Sequence, residues 1–529
     1  MPVTTRRSRP PVPAFPVHRF RLDNGLRVVL LPDSSAPTVG IAVIYDVGFR
    51  SEPEGMTGFA HLFEHLMFEG SATLPKGRHD QLVTGNGGVM NGSTRADYTN
   101  YYEQLPSNAL ELGLYLEADR MRGLRLSGEN VANQIAVVKE EIRVNVVNQP
   151  FGGFPWILLP PVMFKTFANA HNGYGSFVDL EAATVDQAAA FFDRYYAPGN
   201  AVLVVAGDLD VDTTKGMVER HFGPLPPRAV PPPVSFGEPV PTEERRGVHH
   251  DPLAPLAAVA VAYRVPDPVN EVEDYLAAAV LTELLAEGTA SRLHQRLVKG
   301  DRLATHVGGM LGTFGDPFDM RDPTMLQLLA YHPPGDVDRL LAALDEEVAA
   351  VADGGATDDE VDRVVTTMTA QSLRSLDDIM NRALAAAVAE QQRSRAELAS
   401  ELPARLSACS HRLATRVMSS AVTAASRAGS SLTSSARFRC CSRTAAASAR
   451  CMTSSRLWRL CAVRVVTTRS TSSSVAPPAA TAATSSSRAA RSGSTSPGGW
   501  NATSCSMVGS RMSNGSPNVP RSPPTRVAS

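Results

Sequence analysis

The stretch TGFAHLFEHLMFEGS, residues 57–71, puts His61, Glu64 and His65 into five consecutive positions of an otherwise apolar run. On a helix turning ~100° per residue, His65 lies about 40° round from His61 and Glu64 about 60° round on the other side. All three therefore share one face. Two imidazoles a turn apart can hold one Zn²⁺, and the carboxylate between them can reach a water at the open position of that metal. The carboxylate can take the water's proton as it attacks a carbonyl and deliver it to a leaving amine. A third protein ligand is still required. The bland alternative is a pair of histidines packed or solvated on an amphipathic helix, and the motif alone does not choose between the two.

The surroundings of the motif read as mixed helix and strand. Upstream, HRFRLDNGLRVVLLPD (18–33) alternates about an Asn24-Gly25 turn as a hairpin does, and PTVGIAVIYDVG (37–48) is rich in strand-forming residues. Downstream, the polar, glycine-rich connection TGNGGVMNG leads to STRADYTNYYEQLP (93–106), whose Thr94, Tyr98, Thr99, Tyr101 and Tyr102 suit a strand. Residues 108–122 and 129–148 carry helical apolar spacing, the second run ending at Pro150. FFDRYYAPGNAVLVVAGDLD (191–210) reads as a helix end, a turn and a buried strand. Strands and helices alternate without a strict βαβ rhythm, which predicts an α+β fold.

The proline-rich stretch PLPPRAVPPPVSFGEPVP (224–241) contains the best domain boundary. The expected organisation is an N-terminal extension (1–16), a first domain (17–225), a linker (226–241), a second domain (242–406) and a tail (407–529). Beyond the linker the order of elements partly repeats. LAAVAVAYRVP is a strand, and a helix over 274–288 stands where 57–70 stands in the first domain, with no His-x-x-Glu-His. A duplicated fold in which one copy keeps the chemistry is the reading.

Composition divides the chain at the tail. Residues 407–529 hold 16 arginines and no Asp, Glu or Lys, whereas 1–406 hold 35 basic and 53 acidic residues. All six cysteines (Cys409, Cys440, Cys441, Cys451, Cys461 and Cys505) lie in the tail without CxxC spacing. Low hydrophobicity and one-sign charge predict a disordered tail. It is either a genuine basic segment or the frame-shifted translation of a GC-rich gene, in which case the second domain lacks its final strand and helix. The body carries neither a basic patch for nucleic acid, nor an apolar run for a membrane, nor a cleavable leader, so a cytoplasmic location is expected.

A distal segment, NQIAVVKEEIRVN (133–145), sets Glu140 and Glu141 on a predicted helix. Together with His-x-x-Glu-His, NGSTRADYTNYY, VVKEEI and the 191–210 stretch, it resembles the M16 family of zinc metallopeptidases, the inverzincins that include pitrilysin, insulin-degrading enzyme and the mitochondrial processing peptidase. The resemblance covers about residues 17–406. It implies two similar α/β-sandwich domains forming one half of a clamshell, one Zn²⁺ per chain, His61 and His65 as ligands and Glu64 as general base. By the family spacing it implies Glu141 as the third ligand, with 75 residues between it and His65. Gln134 stands where members often place a supporting glutamate. Asn91, Gly92, Ser93 and Thr94 resemble the edge strand to which an extended substrate adds.

One departure concerns RLVKGDRLATHVGG (296–309), which has Val298 and Thr305 where complete clamshells carry a substrate-touching Arg and Tyr. The expectation is therefore a dimer in which a related non-zinc subunit supplies them. Three functions stand at this point: a zinc endopeptidase acting on flexible peptides, a non-catalytic assembly subunit on the same fold, and an inactive truncated product.

Overall fold

The computed structural model describes residues 15–232, 234–239, 241, 243–313 and 320–408, and the backbone of 463–469. The first half runs β1 (His18–Arg21), β2 (Arg27–Pro32), β3 (Thr38–Tyr45), α1 (Phe59–Leu66), α2 (Arg78–Gly85), β4 (Val89–Thr94), β5 (Thr99–Pro106), α3 (Leu110–Arg122) and α4 (Gly128–Ile142). Short helices α5 (Pro160–Met163), α6 (Phe167–Ala170) and α7 (Phe177–Ala182) lead to α8 (Val185–Tyr195), β6 (Ala201–Gly207) and α9 (Val211–Phe222). The second half runs β7 (Arg245–Asp251), β8 (Ala257–Arg264), α10 (Val272–Ala286), β9 (His306–Leu311), β10 (Met325–His332), α11 (Val337–Ala350), α12 (Asp358–Asp377), α13 (Ile379–Arg393) and α14 (Glu397–Ala408). β11 (Val463–Arg469) follows.

The strands form two sheets of matching topology, β1-β2-β6-β3-β5-β4 and β7-β11-β8-β10-β9. β2 and β6 pair in parallel, as do β7 and β11, and every other pairing is antiparallel. β3 therefore corresponds to β8, α1 to α10, and the edge strand β4 to the edge strand β9. The mixed α+β class and the repeat are as the sequence led one to expect.

Each sheet buries one face beneath its own helices. Under the first lie Leu26, Ile41, Phe63, Tyr101 and Leu203, and under the second Val259, Leu281, Leu328 and Val365. The opposite faces are covered reciprocally. Ala383, Ala386 and Ala387 of α13 pack on Val29, Ala42, Ile44 and Val204 of the first sheet. Phe154, Leu159 and Met163 pack on Ala258, Ala260 and Leu329 of the second. Alanines on both sides let backbone approach backbone, so the proline-rich stretch joins two halves that each complete the other's core.

Two expectations need correction. The predicted strand over 93–106 is the end of one strand and the whole of a second, joined by a turn at Arg95–Tyr98, and β4 begins inside the glycine-rich connection. Register pairing across the hairpin, not local propensity, sets that start. Within the stretch expected to be a disordered tail, one segment is described, as the backbone of a strand in the second sheet. Val463–Arg469, within the stretch read as tail, lies between β7 and β8 where β6 lies between β2 and β3. A ladder requires only main-chain donors and acceptors, and VRVVTTR is a short β-branched run that overall composition conceals. The remainder of the disordered-tail expectation, from 409 onward, lies outside the described residues. Among the described residues no helix is long and apolar enough to cross a membrane.

Candidate metal centre

α1 begins at Gly58, whose backbone occupies the left-handed region (φ 89°). Gly175 lies so close that a Cβ there would meet the Gly58 nitrogen at 2.4 Å, which fixes the entry of the helix. Phe59, Leu62, Phe63 and Leu66 sink into the core. The other side of α1 meets α4 and β4. His61 and Glu64 are buried on it, and His65 is nearly so.

α4 starts at Ser127, whose hydroxyl accepts the Asn130 N–H, and it carries Glu141 to the two histidines. Glu141 Oε2 lies 3.2 Å from His65 Nε2 and 3.6 Å from His61 Nε2. Glu140, one residue earlier, is mostly exposed and pairs with Arg143 at 3.0 Å. A 100° step on one helix separates the two carboxylates. The imidazole rings stand 5.0 Å apart and nearly perpendicular, with the Tyr174 ring edge-on to His61 at 5.2 Å.

This donor set fits a zinc ion. Bonds of ~2.0–2.1 Å in a tetrahedral shell separate ligand atoms by about 3.3–3.4 Å, close to both Nε2–Oε2 distances. Glu141 Oε1 is buried with no hydrogen-bond partner among the described residues. Burial works to raise the Glu141 carboxyl, but hydrogen bonds and charge from both imidazoles outweigh it and hold the group at about 2. Burial works to lower His65, but Glu141, Glu64 and the buried Gln134, which lies within hydrogen-bonding reach of the ring, leave it raised.

Asn91, Gly92, Ser93 and Thr94 all lie in β4 at the sheet edge. A Cβ on Gly92 would stand 3.3 Å from Glu64 Cγ, so the strand's backbone passes directly over that carboxylate. The Gly92 N–H donates to the Asn91 side chain (2.9 Å). Ser93 donates to Asn100 (2.7 Å) and Thr94 to the Ala60 carbonyl (3.3 Å), so both hydroxyls serve the fold. Val298 packs on the second core, and Thr305 donates its N–H and hydroxyl to the Tyr331 carbonyl (2.8 and 3.1 Å).

Tyr174 and Glu52 were not legible as parts of the site. Glu52 lies only seven residues before α1, but its partners are two backbone N–H groups and His171, 119 residues away, which leave no local side-chain motif. A second cluster also escaped the sequence reading. The ligand-type atoms of His79, Glu103 and Glu117 lie within 4.8 Å of one another, all buried. Here Arg120 pairs with Glu117 and lies over the Tyr101 ring at 4.5 Å. Burial pushes Glu103 up to about 8 and His79 down to about 4, so a protonated Glu103 faces a neutral imidazole at 3.3 Å.

Comparison with known proteins identifies the family of the chain. Residues 27–151 match the family described as insulinase (peptidase family M16), and residues 182–368 match the peptidase M16 inactive domain. The zinc protease PqqE of Helicobacter pylori is 29% identical over 371 residues, covering 67% of this chain and 79% of that protein. An uncharacterized zinc protease of Mycobacterium leprae is 30% identical over 353 residues, covering 65% of this chain and 75% of its own length. The crystal structure of a protease from Helicobacter pylori superposes with a TM-score of 0.73 at 24% identity, covering 86% of this chain and 99% of that one.

Proposed function

This chain belongs to peptidase family M16, and from that premise we propose that it is a zinc-dependent endopeptidase acting on flexible peptides or unfolded segments. The observation that carries the reading is the convergence of His61 Nε2 and His65 Nε2 on Glu141 Oε2, beside a buried Glu64 that lies under the Gly92 backbone. His61, His65 and Glu141 would hold the ion, which supplies a Lewis acid and brings a bound water's pKa towards neutrality. Glu64 takes the proton of the attacking water and delivers it to the departing amine. Gln134 and Tyr174 keep the His65 and His61 rings oriented.

The open edge of β4 receives an extended substrate as a further strand, by main-chain hydrogen bonds that make little demand on side chains. An incoming peptide must first draw the Asn91 side chain off the Gly92 N–H. Folded protein cannot offer such a strand, which restricts substrates to flexible chain.

The test is Glu64→Gln. It should lower peptide cleavage by roughly 10²–10⁴-fold, the usual worth of a positioned general base, while zinc content stays at one per chain. Cleavage equal to that of the parent would defeat the proposal. We also assign the second half of the chamber to another subunit, since the Thr305 hydroxyl and N–H are already engaged and Val298 is packed. Purified chain working at full rate without any related partner would overturn that part alone.

A further inference from the structure

Resting on the peptidase reading, we infer that Glu52 is a positioning residue: it sets the first turn of the metal-binding helix, and with it the place of His61. The first turn of any helix leaves backbone N–H groups without intrahelical partners, and a side chain at the N-cap normally meets one of them. α1 has glycine there, and no side-chain cap of its own. Glu52 does the work from outside. Its Oε2 accepts the Gly58 N–H at 2.9 Å and its Oε1 accepts the Ala60 N–H at 2.7 Å. Ala60 immediately precedes His61.

The carboxylate is itself held. His171 Nε2 lies 2.7 Å from the Phe49 carbonyl and 3.3 Å from Glu52 Oε2, while its Nδ1 lies 2.8 Å from the Phe167 carbonyl. Carbonyls only accept, so both ring nitrogens carry protons and the ring is an imidazolium facing the Glu52 carboxylate. The pair is fully removed from solvent on the Glu52 side. A negative charge at a helix N-terminus is favoured electrostatically, and hydrogen bonds to an ionised acceptor are the stronger kind. Next to it, Asp179 Oδ2 accepts the N–H and hydroxyl of Thr57 (3.1 and 2.5 Å). The entry to α1 is thus clamped at residues 57, 58 and 60 by two carboxylates, and the histidine that follows inherits its position from them.

Glutamine cannot replace Glu52 without loss. It offers one oxygen to two backbone donors, and its NH₂ would face a donor. Aspartate keeps the charge beside His171 but is one methylene too short to reach both N–H groups.

The test uses the full chain, as the parent and as Glu52→Gln and Glu52→Asp. Zinc affinity is measured by chelator competition, cleavage by steady-state kinetics, and amide exchange on the metal-free protein. Glu52→Gln should weaken zinc binding by roughly 10–100-fold, the usual cost of losing a partner that orients a ligand. It should lower kcat while leaving KM within about twofold, because β4 is untouched. Exchange at Gly58 and Ala60 should quicken, with Glu52→Asp intermediate in every readout. A Glu52→Gln chain with parental zinc affinity and kcat would overturn the inference. Should that variant fail to fold, parental zinc affinity in Glu52→Asp would do the same. A parent chain that binds no zinc would instead defeat the peptidase reading, while the metal-free exchange still reports on the cap.

Discussion

Two clusters in the first domain share one chemistry on paper. His61, His65 and Glu141 form one, and His79, Glu103 and Glu117 the other, each with ligand-type atoms within 4.8 Å. Their charge states run in opposite directions. In the first, the imidazoles hold Glu141 at about 2 and His65 is raised, so an ionised carboxylate faces two imidazoles. In the second, burial leaves Glu103 at about 8 and His79 at about 4, and the Arg120 guanidinium is already paired with Glu117. A divalent ion placed there would meet a fixed positive charge in a region of low dielectric, where like-charge repulsion is poorly screened. The lesson is that residue types nominate a metal site, while the neighbouring charge separates one such cluster from another. The first cluster lies where α1 meets α4 and the edge strand β4. The second joins α2, β5 and α3, with all three residues buried.

The largest effect that would break this contrast is a change in metal count. His65→Ala should abolish stoichiometric zinc binding and cleavage together, while His79→Ala should leave one zinc per chain, measured by metal analysis after dialysis. A second equivalent in the parent that disappears with His79→Ala would show the contrast to be wrong. Next in size is the loss of a paired charge. Glu117→Ala should destabilise the first domain by about 3–5 kcal/mol in denaturant unfolding, because Arg120 would remain buried without its partner. A change below about 1 kcal/mol would mean that Arg120 has other means of satisfaction.

A smaller effect sharpens the comparison through pH. Glu103 has a folded pKa of about 8 against an unfolded value near 4.5, so between these values the folded state holds the extra proton and stability falls as pH rises. His79, at about 4 against 6.5, has the opposite slope between pH 4 and 6.5. The two offset each other up to about pH 6.5. Above it only the Glu103 slope remains, worth on the order of 2 kcal/mol by pH 8. Glu103→Gln should remove that fall relative to the parent, and identical pH–stability curves would refute the assignment. The smallest effect concerns the edge strand. Gly92→Ala sets a methyl 3.2 Å from Tyr101 and 3.3 Å from Glu64 Cγ. Cleavage should drop several-fold with zinc affinity unchanged, an effect of about 1 kcal/mol; unchanged kcat/KM would place the substrate elsewhere.

Much of this was legible in the sequence for a local reason. A helix brings positions i, i+3 and i+4 together whatever lies around it, so the shared face of His61, Glu64 and His65 could be read directly. The duplicated strand–helix order was visible for the same reason, because hydrophobic period is a local property. Choosing Glu141 over Glu140 rested on family spacing, and in the structure one helical step separates a carboxylate facing two imidazoles from one facing solvent and Arg143. Nothing local marks Tyr174 or Glu52, and nothing local predicts that Val463–Arg469 lies between β7 and β8.

The sequence by itself determined the helical face that carries the motif, the mixed class, the repeat and the break in composition after residue 406, because periodicity and composition are carried by neighbours along the chain. Only the tertiary structure decided which carboxylate closes on the histidines, which of two similar clusters keeps a buried cation of its own, and what caps α1. Those outcomes depend on distances between segments tens of residues apart and on how far water is excluded between them, quantities that do not exist until the chain has folded.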